Sequence, residues 1–318
     1  MAAALALATR GRGRTAPNPN VGCVMVKDGR VVGRGWTQPG GRPHAEAMAL
    51  AEARGAARGG TAYVTLEPCA HEGARGPACS RLLVEAGVAR VVVALGDPDP
   101  RTNGAGLARL EAAGIAVTTG VLADAARRTM AGFLTRRGLG RPQVTLKLAM
   151  SLDGCIALAS GESQWITGPE ARAHAHLERA RHEAILVGRG TAEADAPRLD
   201  VRLPGLEGRS PRRLLLTRHP RESRDDDGWE AIASPQDIGG LVGVDHLLVE
   251  GGAHTAASFL AAGLVDRLLL YRAPILIGGG KPALADIGLT SLAAAHGRWR
   301  LADARALGSD RLEVYERA

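Results

Sequence analysis

Four residues in the first third of the chain have the types and spacing to bind and use a metal ion. They are His44 and Glu46 in His-Ala-Glu, Cys69 after Pro68, and Cys79. Zinc takes neutral imidazole and thiolate ligands, and a catalytic zinc keeps one of its four positions open for water. A glutamate that is not itself a ligand can take and return protons beside such a site. Three ligands with a nearby carboxylate point to hydrolysis at an amino-bearing carbon, because a structural zinc is more often closed by a fourth Cys or His. The competing readings are a structural zinc, or two free thiols beside a surface histidine. His71 is a further candidate ligand, but inside the loop between the cysteines it better suits a substrate contact or a loop hydrogen bond.

These side chains need strand ends and helix starts to present them. Residues 2–9 are expected to form a short helix, and two apolar runs, Val21–Val26 and Arg30–Trp36, flank an Asp28-Gly29 hairpin signal. Pro43 suits a first helical turn, so His44 stands at the mouth of a helix ending before Gly55. Thr61–Glu67 reads as a strand delivering Pro68-Cys69, and Cys79 opens a helix stopped by Gly87. A thiolate there is favoured by the positive end of the helix dipole. Strands over Arg90–Gly96 and Ile115–Gly120, with a helix at Gly106–Ala113 between them, complete an α/β domain with a parallel or mixed sheet.

With 318 residues the chain is long enough for two compact domains. The basic, Gly-bearing, Pro-ended stretch Arg136–Pro142 suits a linker, dividing the chain into 1–140 and 141–318. The second part is expected to have strands at Val144–Met150, Ala184–Gly188, Arg213–Thr217, His246–Val249, Ile275–Ile277, Trp299–Ala302 and Arg311–Tyr315. A helix is expected from Pro169 to about Arg181, and a long loop after Gly188. His174, His176, His182 and His219 lie apart from any cysteine and read as surface residues. The sequence Glu250-Gly251-Gly252 between a strand and a helix is an anion cradle, since unpaired N–H groups and the dipole face a ligand there. No Gly-x-Gly-x-x-Gly is present, so a Rossmann dinucleotide site is not supported.

Bulk properties exclude several classes. Forty-five per cent hydrophobic and 23% charged residues describe an ordinary globular protein, and no apolar run reaches membrane-span length. The arginines near the start follow an Ala/Leu run, the reverse of a signal peptide's order, so a cytoplasmic location is expected. The net charge of +7 invites a nucleic-acid reading, but the arginines are dispersed and only 3% of residues are aromatic. Four cysteines without an export signal do not suggest disulfides; Cys23 and Cys155 read as small core residues.

The strings PNPNVGCVMVKDG, HAEAMAL, TLEPCAHEG and DPDPRTNGAG resemble the deaminase half of the bifunctional riboflavin-biosynthesis deaminase–reductase family. LKLAMSLDG, SGESQWITG, LVEGG and LVDRLLLYRAPILIGGG resemble its reductase half, so the resemblance covers nearly the whole chain. It implies a cytidine-deaminase-like three-layer α/β/α domain followed by a dihydrofolate-reductase-like α/β domain. It also implies two steps on a small phosphorylated pyrimidine: zinc-dependent deamination, then NADPH-dependent reduction of the ribosyl group to ribityl. By similarity, His44, Cys69 and Cys79 would hold one zinc per chain and Glu46 would be catalytic. Asn18 would contact the pyrimidine and Arg75 the substrate phosphate.

In the second half, the resemblance places Ser163, Arg179, Leu199, Arg202 and Glu250 on the substrate. It places Ala149, Trp165, Thr191, Asp195 and the stretch Gly252, Ala253, His254, Thr255, Ala256, Ala257 and Ser258 on NADPH. The family further implies a homo-oligomer, and the dispersed arginines, few aromatics and short apolar runs leave neither a nucleic-acid nor a membrane partner expected. The chain departs from the family pattern at Thr37, where many members carry His, at Ala196, and in a cysteine loop one residue longer.

Overall fold

Two glycines in the first hairpin let helices lie directly on a sheet. In the computed structural model, which describes residues 1–73, 76–219 and 228–318, β1 (Gly22–Lys27) and β2 (Arg30–Trp36) pair antiparallel. Asp28 and Gly29 turn between them with φ of 50° and 73°, the left-handed pair that a two-residue hairpin requires. A Cβ on Gly22 would meet Ala4 O of α1 (Ala2–Ala8) at 1.9 Å, and one on Gly35 would meet Ala45 O of α2 (Ala45–Ala53) at 2.0 Å. Gly22 pairs with Trp36 and Gly35 with Cys23, so the two glycines address opposite faces of the sheet. The two helices therefore cover opposite faces, giving a three-layer α/β/α unit.

That unit spans Met1–Gly140. Its sheet runs in the order β2-β1-β3-β4-β5, with β3 at Thr61–Val64, β4 at Arg90–Val93 and β5 at Ala116–Thr118. β1 pairs β3 antiparallel, whereas β3, β4 and β5 are parallel. The crossovers carry α3 (Cys79–Glu85) and α4 (Ala105–Ala112), and the unit closes with α5 (Ala123–Thr129) and α6 (Ala131–Leu139). Cys23, Met25, Ala49, Val64, Leu83 and Val91 are among its buried core residues.

The second unit, Arg141–Ala318, is built on an eight-stranded sheet. Its strands are β6 (Gln143–Met150), β8 (Ala184–Gly188), β9 (Arg212–Leu216), β10 (Trp229–Ile232), β11 (His246–Val249), β12 (Arg267–Arg272), β14 (Trp299–Leu307) and β15 (Asp310–Arg317), in the order β10-β9-β8-β11-β6-β12-β15-β14. The first six positions pair parallel, and β12, β15 and β14 pair antiparallel. β8 and β11 are buried along their whole length, as central parallel strands covered on both faces must be. Around the sheet lie α7 (Pro169–Arg179), α8 (Arg189–Asp195) and α9 (Ala253–Ala261), and β7 (Cys155–Ala157) pairs the short β13 (Lys281–Pro282). Arg141 forks onto Asp266 at 2.6 and 2.8 Å, and Asp266 also accepts the Val144 N–H at 2.8 Å.

Several expectations need correction. The stretch expected as a linker is helical to Leu139, because Phe133 of α6 is buried in the first unit's core. The loop expected after Gly188 begins with α8, whose C-cap Ala196 is left-handed. Ile275–Ile277 is not a strand; the Asp153 carboxylate takes the N–H groups of Ile277 and Gly278, so a loop contact replaces ladder bonds. His182 is buried with Nδ1 at 2.6 Å from Glu178 O, and half-buried His174 meets the Tyr271 hydroxyl at 2.7 Å, so neither is a surface residue. His219 is exposed, and Cys23 and Cys155 are buried. Among the described residues no helix is long and apolar enough to cross a membrane.

Candidate active sites

The first site is assembled from two helix starts and one strand exit. His44 is the N-cap of α2 with extended backbone, Cys79 is the first residue of α3, and Cys69 follows the end of β3. Cys69 Sγ lies 3.6 Å and Cys79 Sγ 3.4 Å from His44 Nδ1, and the three donor atoms all fall within 4.8 Å of one another. Nitrogen and sulfur ligands around one tetrahedral zinc would be separated by about 3.6 Å. The donor set and its spacing fit that ion. On the far side of the ring, His44 Nε2 lies 3.3 Å from Asn18 Nδ2, which donates to Gly41 O at 2.7 Å; with Nδ1 turned to the metal, Nε2 carries the ring proton, so the amide nitrogen packs against the ring rather than bonding to it.

Glu46 sits in the first turn of α2 and is only 3% exposed. Burial pushes its carboxyl up to about 7, against the pull of His44. A buried acid so placed can hold or release a proton near neutral pH. The hydrogen bond between the two sulfur groups holds the Cys69 thiol well below its usual value, and the same bond together with burial pushes Cys79 up. The Cys79 N–H also points at Cys69 Sγ, 3.3 Å away. Arg75 lies outside the described residues. Thr37 is buried, and its hydroxyl accepts the Val21 N–H at 2.9 Å, so it closes the hairpin end. His71 Nδ1 is 3.5 Å from Thr102 Oγ1, a contact within its loop neighbourhood.

The second site is a cavity of about 930 Å³ in the second unit. That is the upper end of the range for small-molecule pockets, about 300–1,000 Å³. Ser163, Arg179, Leu199, Arg202 and Glu250 line it, as do Ala149, Trp165, Thr191, Asp195 and Gly252. Gly252 is the N-cap of α9, and its N–H donates to Thr191 Oγ1 at 3.2 Å. Trp165, 64% exposed at the cavity wall, has the Arg172 guanidinium over its ring, 4.8 Å from the centroid. Volume, aromatic ring and helix start fit a dinucleotide with a second ligand beside it.

The rest of the stretch expected on the cofactor does not line this cavity. Ala256 and Ala257 are buried, Thr255 packs against Gly251 and Gly188, His254 is exposed, and Ala253 and Ser258 are half-buried on α9. Two cavity residues carry no signal in the sequence. Lys147, on β6, lies 3.6 Å from Glu250 Oε2, and His176, on α7, contacts Asp200 O at 3.0 Å. A lone lysine in a strand and one histidine of a helix give no spacing to read. Only the parallel pairing of β11 with β6 brings Lys147 beside Glu250.

Burial alone would raise Glu250, but Lys147 and Arg179 hold its carboxyl down to about 2. Arg179 spends Nε and Nη2 on Glu250 and Nη1 on Asp200 O. Arg202 is 53% exposed at its side chain and has only loose contacts, 3.6 Å to Asp200 and 3.5 Å to His176. Among the described residues it is the less committed of the two arginines.

Known proteins match both units. Residues 1–95 match the cytidine and deoxycytidylate deaminase zinc-binding region, and residues 142–234 and 240–312 match the RibD C-terminal domain. The riboflavin biosynthesis protein RibD of Escherichia coli K12 is 41% identical, over 98% of this chain and 96% of its own length. The structure of Acinetobacter baumannii RibD, form 1, superposes with a TM-score of 0.87 at 37% identity, covering 100% of this chain and 97% of that one. A diaminohydroxyphosphoribosylaminopyrimidine deaminase/5-amino-6-(5-phosphoribosylamino)uracil reductase from Thermotoga maritima superposes with a TM-score of 0.89 at 33% identity, with coverages of 100% and 97%. With both units matched and such likeness over nearly its whole length, the chain belongs to the RibD family of bifunctional deaminase–reductases of riboflavin biosynthesis.

Proposed function

We propose that the first unit deaminates 2,5-diamino-6-(5-phosphoribosylamino)pyrimidin-4-one. The second unit would then reduce the ribosyl group of 5-amino-6-(5-phosphoribosylamino)uracil to ribityl with NADPH. The observation that carries the reading is the convergence of His44 Nδ1 with both cysteine sulfurs, a buried glutamate lying two residues along the same helix. His44, Cys69 and Cys79 would hold one zinc ion per chain. When bound, zinc acts as a Lewis acid and lowers the pKa of water at its open position to about 7.

Glu46 moves the protons of the hydrolysis. Water replaces the ring amino group, and the carboxyl takes a proton from the water and gives it to the departing ammonia. Asn18, fixed beside the His44 ring by its bond to Gly41 O, offers the rest of its amide to the pyrimidine edge.

In the second unit a nicotinamide supplies hydride when bound. Glu250 holds Lys147 and Arg179 at the cavity wall, and Arg202 offers charge-assisted donors to the substrate phosphate. Trp165, Thr191, Asp195 and Gly252 form the wall against which the cofactor would be oriented. Supplying purified protein with the pyrimidine, with and without NADPH, tests both halves. Ammonia release without NADPH and NADPH oxidation only after it are expected; absence of either overturns the corresponding half.

A further inference from the structure

Glu67 is a second buried glutamate of the first unit, and the chemistry above does not use it. It lies two residues before Cys69, is 3% exposed, and forms no ion pair among the described residues. Its carboxylate instead collects backbone N–H groups. Oε1 accepts from Gly104 and Gly106 at 3.0 Å and Leu107 at 3.3 Å, and Oε2 accepts from Gly104 at 3.0 Å and Asp97 at 3.3 Å. These donors are the start of α4 and the loop that leads into it. The Glu67 N–H is itself fixed to Leu95 O at 2.8 Å.

The helix held this way touches both cysteine segments. A Cβ on Gly106 would stand 2.0 Å from Pro68 O, so α4 rests directly on the residue before Cys69. One turn on, Arg109 Nη1 donates to Ser80 Oγ at 3.0 Å. Ser80, next to Cys79, donates from its hydroxyl at 3.0 Å and its N–H at 3.2 Å to Cys69 O. α4 thus grips the Cys69 segment at Pro68 and the Cys79 segment at Ser80.

Resting on the zinc site proposed above, we propose that Glu67 is a positioning residue for that centre. It clamps α4 so that the two thiolates keep the separation the ion needs. A carboxylate suits the task because it offers two acceptor oxygens and no donor. Glutamine would turn an N–H₂ toward one group of backbone N–H donors and leave buried amides unpaired.

The test uses the full chain and reads the metal as well as activity. Zinc release to a chromophoric chelator and the absorption bands of the Co2+-substituted protein are compared for the parent, Glu67→Gln and Glu46→Gln, with thermal melting of each protein as the folding control and NADPH-dependent reduction as the measure of protein amount. Glu67→Gln should release zinc ~10–100-fold faster, the range for outer-shell partners of metal ligands, with shifted Co2+ bands and unchanged reductase turnover. Glu46→Gln should release zinc at the parent rate. Parent-like release and bands in Glu67→Gln overturn the inference, whereas a parent chain that holds no zinc overturns the site reading beneath it. If Glu67→Gln does not fold, Ser80→Ala decides, since it cuts only the Arg109–Ser80–Cys69 side of the clamp. Several-fold faster release supports the inference, and an unchanged rate overturns it.

Discussion

Arg179 meets Glu250 as a fork, Nε to Oε1 at 2.8 Å and Nη2 to Oε2 at 2.9 Å, while Lys147 approaches Oε2 from β6 at 3.6 Å. Two cations thus share one buried carboxylate at the wall of the cavity. Removing one member of such a set leaves an uncompensated buried charge.

Glu250→Gln should therefore destabilise the second unit by ~3 kcal/mol at neutral pH. The folded pKa, held down to about 2, lies below the unfolded value near 4.3, so the carboxylate's contribution is whole above that unfolded value. It is lost as the pH falls from about 4 toward 2. Melting temperature followed against pH should show the gap between parent and variant closing over that acid window. A gap that persists at pH 2 would show that the ion pairs are not its source.

Glu46→Gln should lower deamination ~10²–10⁴-fold, the usual worth of a general acid–base. Zinc content should be unchanged, because Glu46 is not among the three converging donors. Metal analysis beside ammonia release checks both, and loss of zinc would reassign the residue as a ligand.

Zinc removal, or His44→Ala, should separate the two activities. Deamination should fall by ~100-fold or more, beyond what loss of an outer-shell partner costs, while NADPH-dependent reduction of the deaminated substrate continues. The cavity walls all belong to the second unit, so this independence is expected from the geometry. Parallel loss of reduction would contradict it.

Arg202→Met should raise the reductase KM ~10-fold with kcat little changed, since a phosphate contact remote from the reacting carbon contributes equally to ground and transition states. Arg179→Met should also lower stability, because that guanidinium is already committed to Glu250 and Asp200. Steady-state kinetics with thermal melts distinguish the two arginines. Equal behaviour would mean that exposure did not decide the phosphate partner.

The metal donors are legible in the sequence because their chemistry is local in type. Histidine, cysteine and glutamate at helix starts and strand exits announce themselves by residue identity, and Asp28-Gly29 announces its hairpin by the backbone conformation it needs. The helices over 123–139 carry no comparable signal, because their pattern is short and Arg-rich, and only Phe133 and its core partners reveal the buried side.

By itself the sequence determined the ligand set, the family resemblance and the presence of a glycine-bearing helix start after β11. Tertiary structure alone decided which groups meet. Parallel strands place Lys147 beside Glu250 across more than a hundred residues of chain, and α7 brings Arg179 onto the same carboxylate. It also separated two glutamates that look alike in sequence. Glu46 is left beside the metal donors with its carboxyl pushed up by burial, whereas Glu67 is surrounded by backbone N–H groups. A carboxylate's role follows from which donors and charges surround it after burial, and that environment is assembled by distant segments rather than by neighbours in the chain.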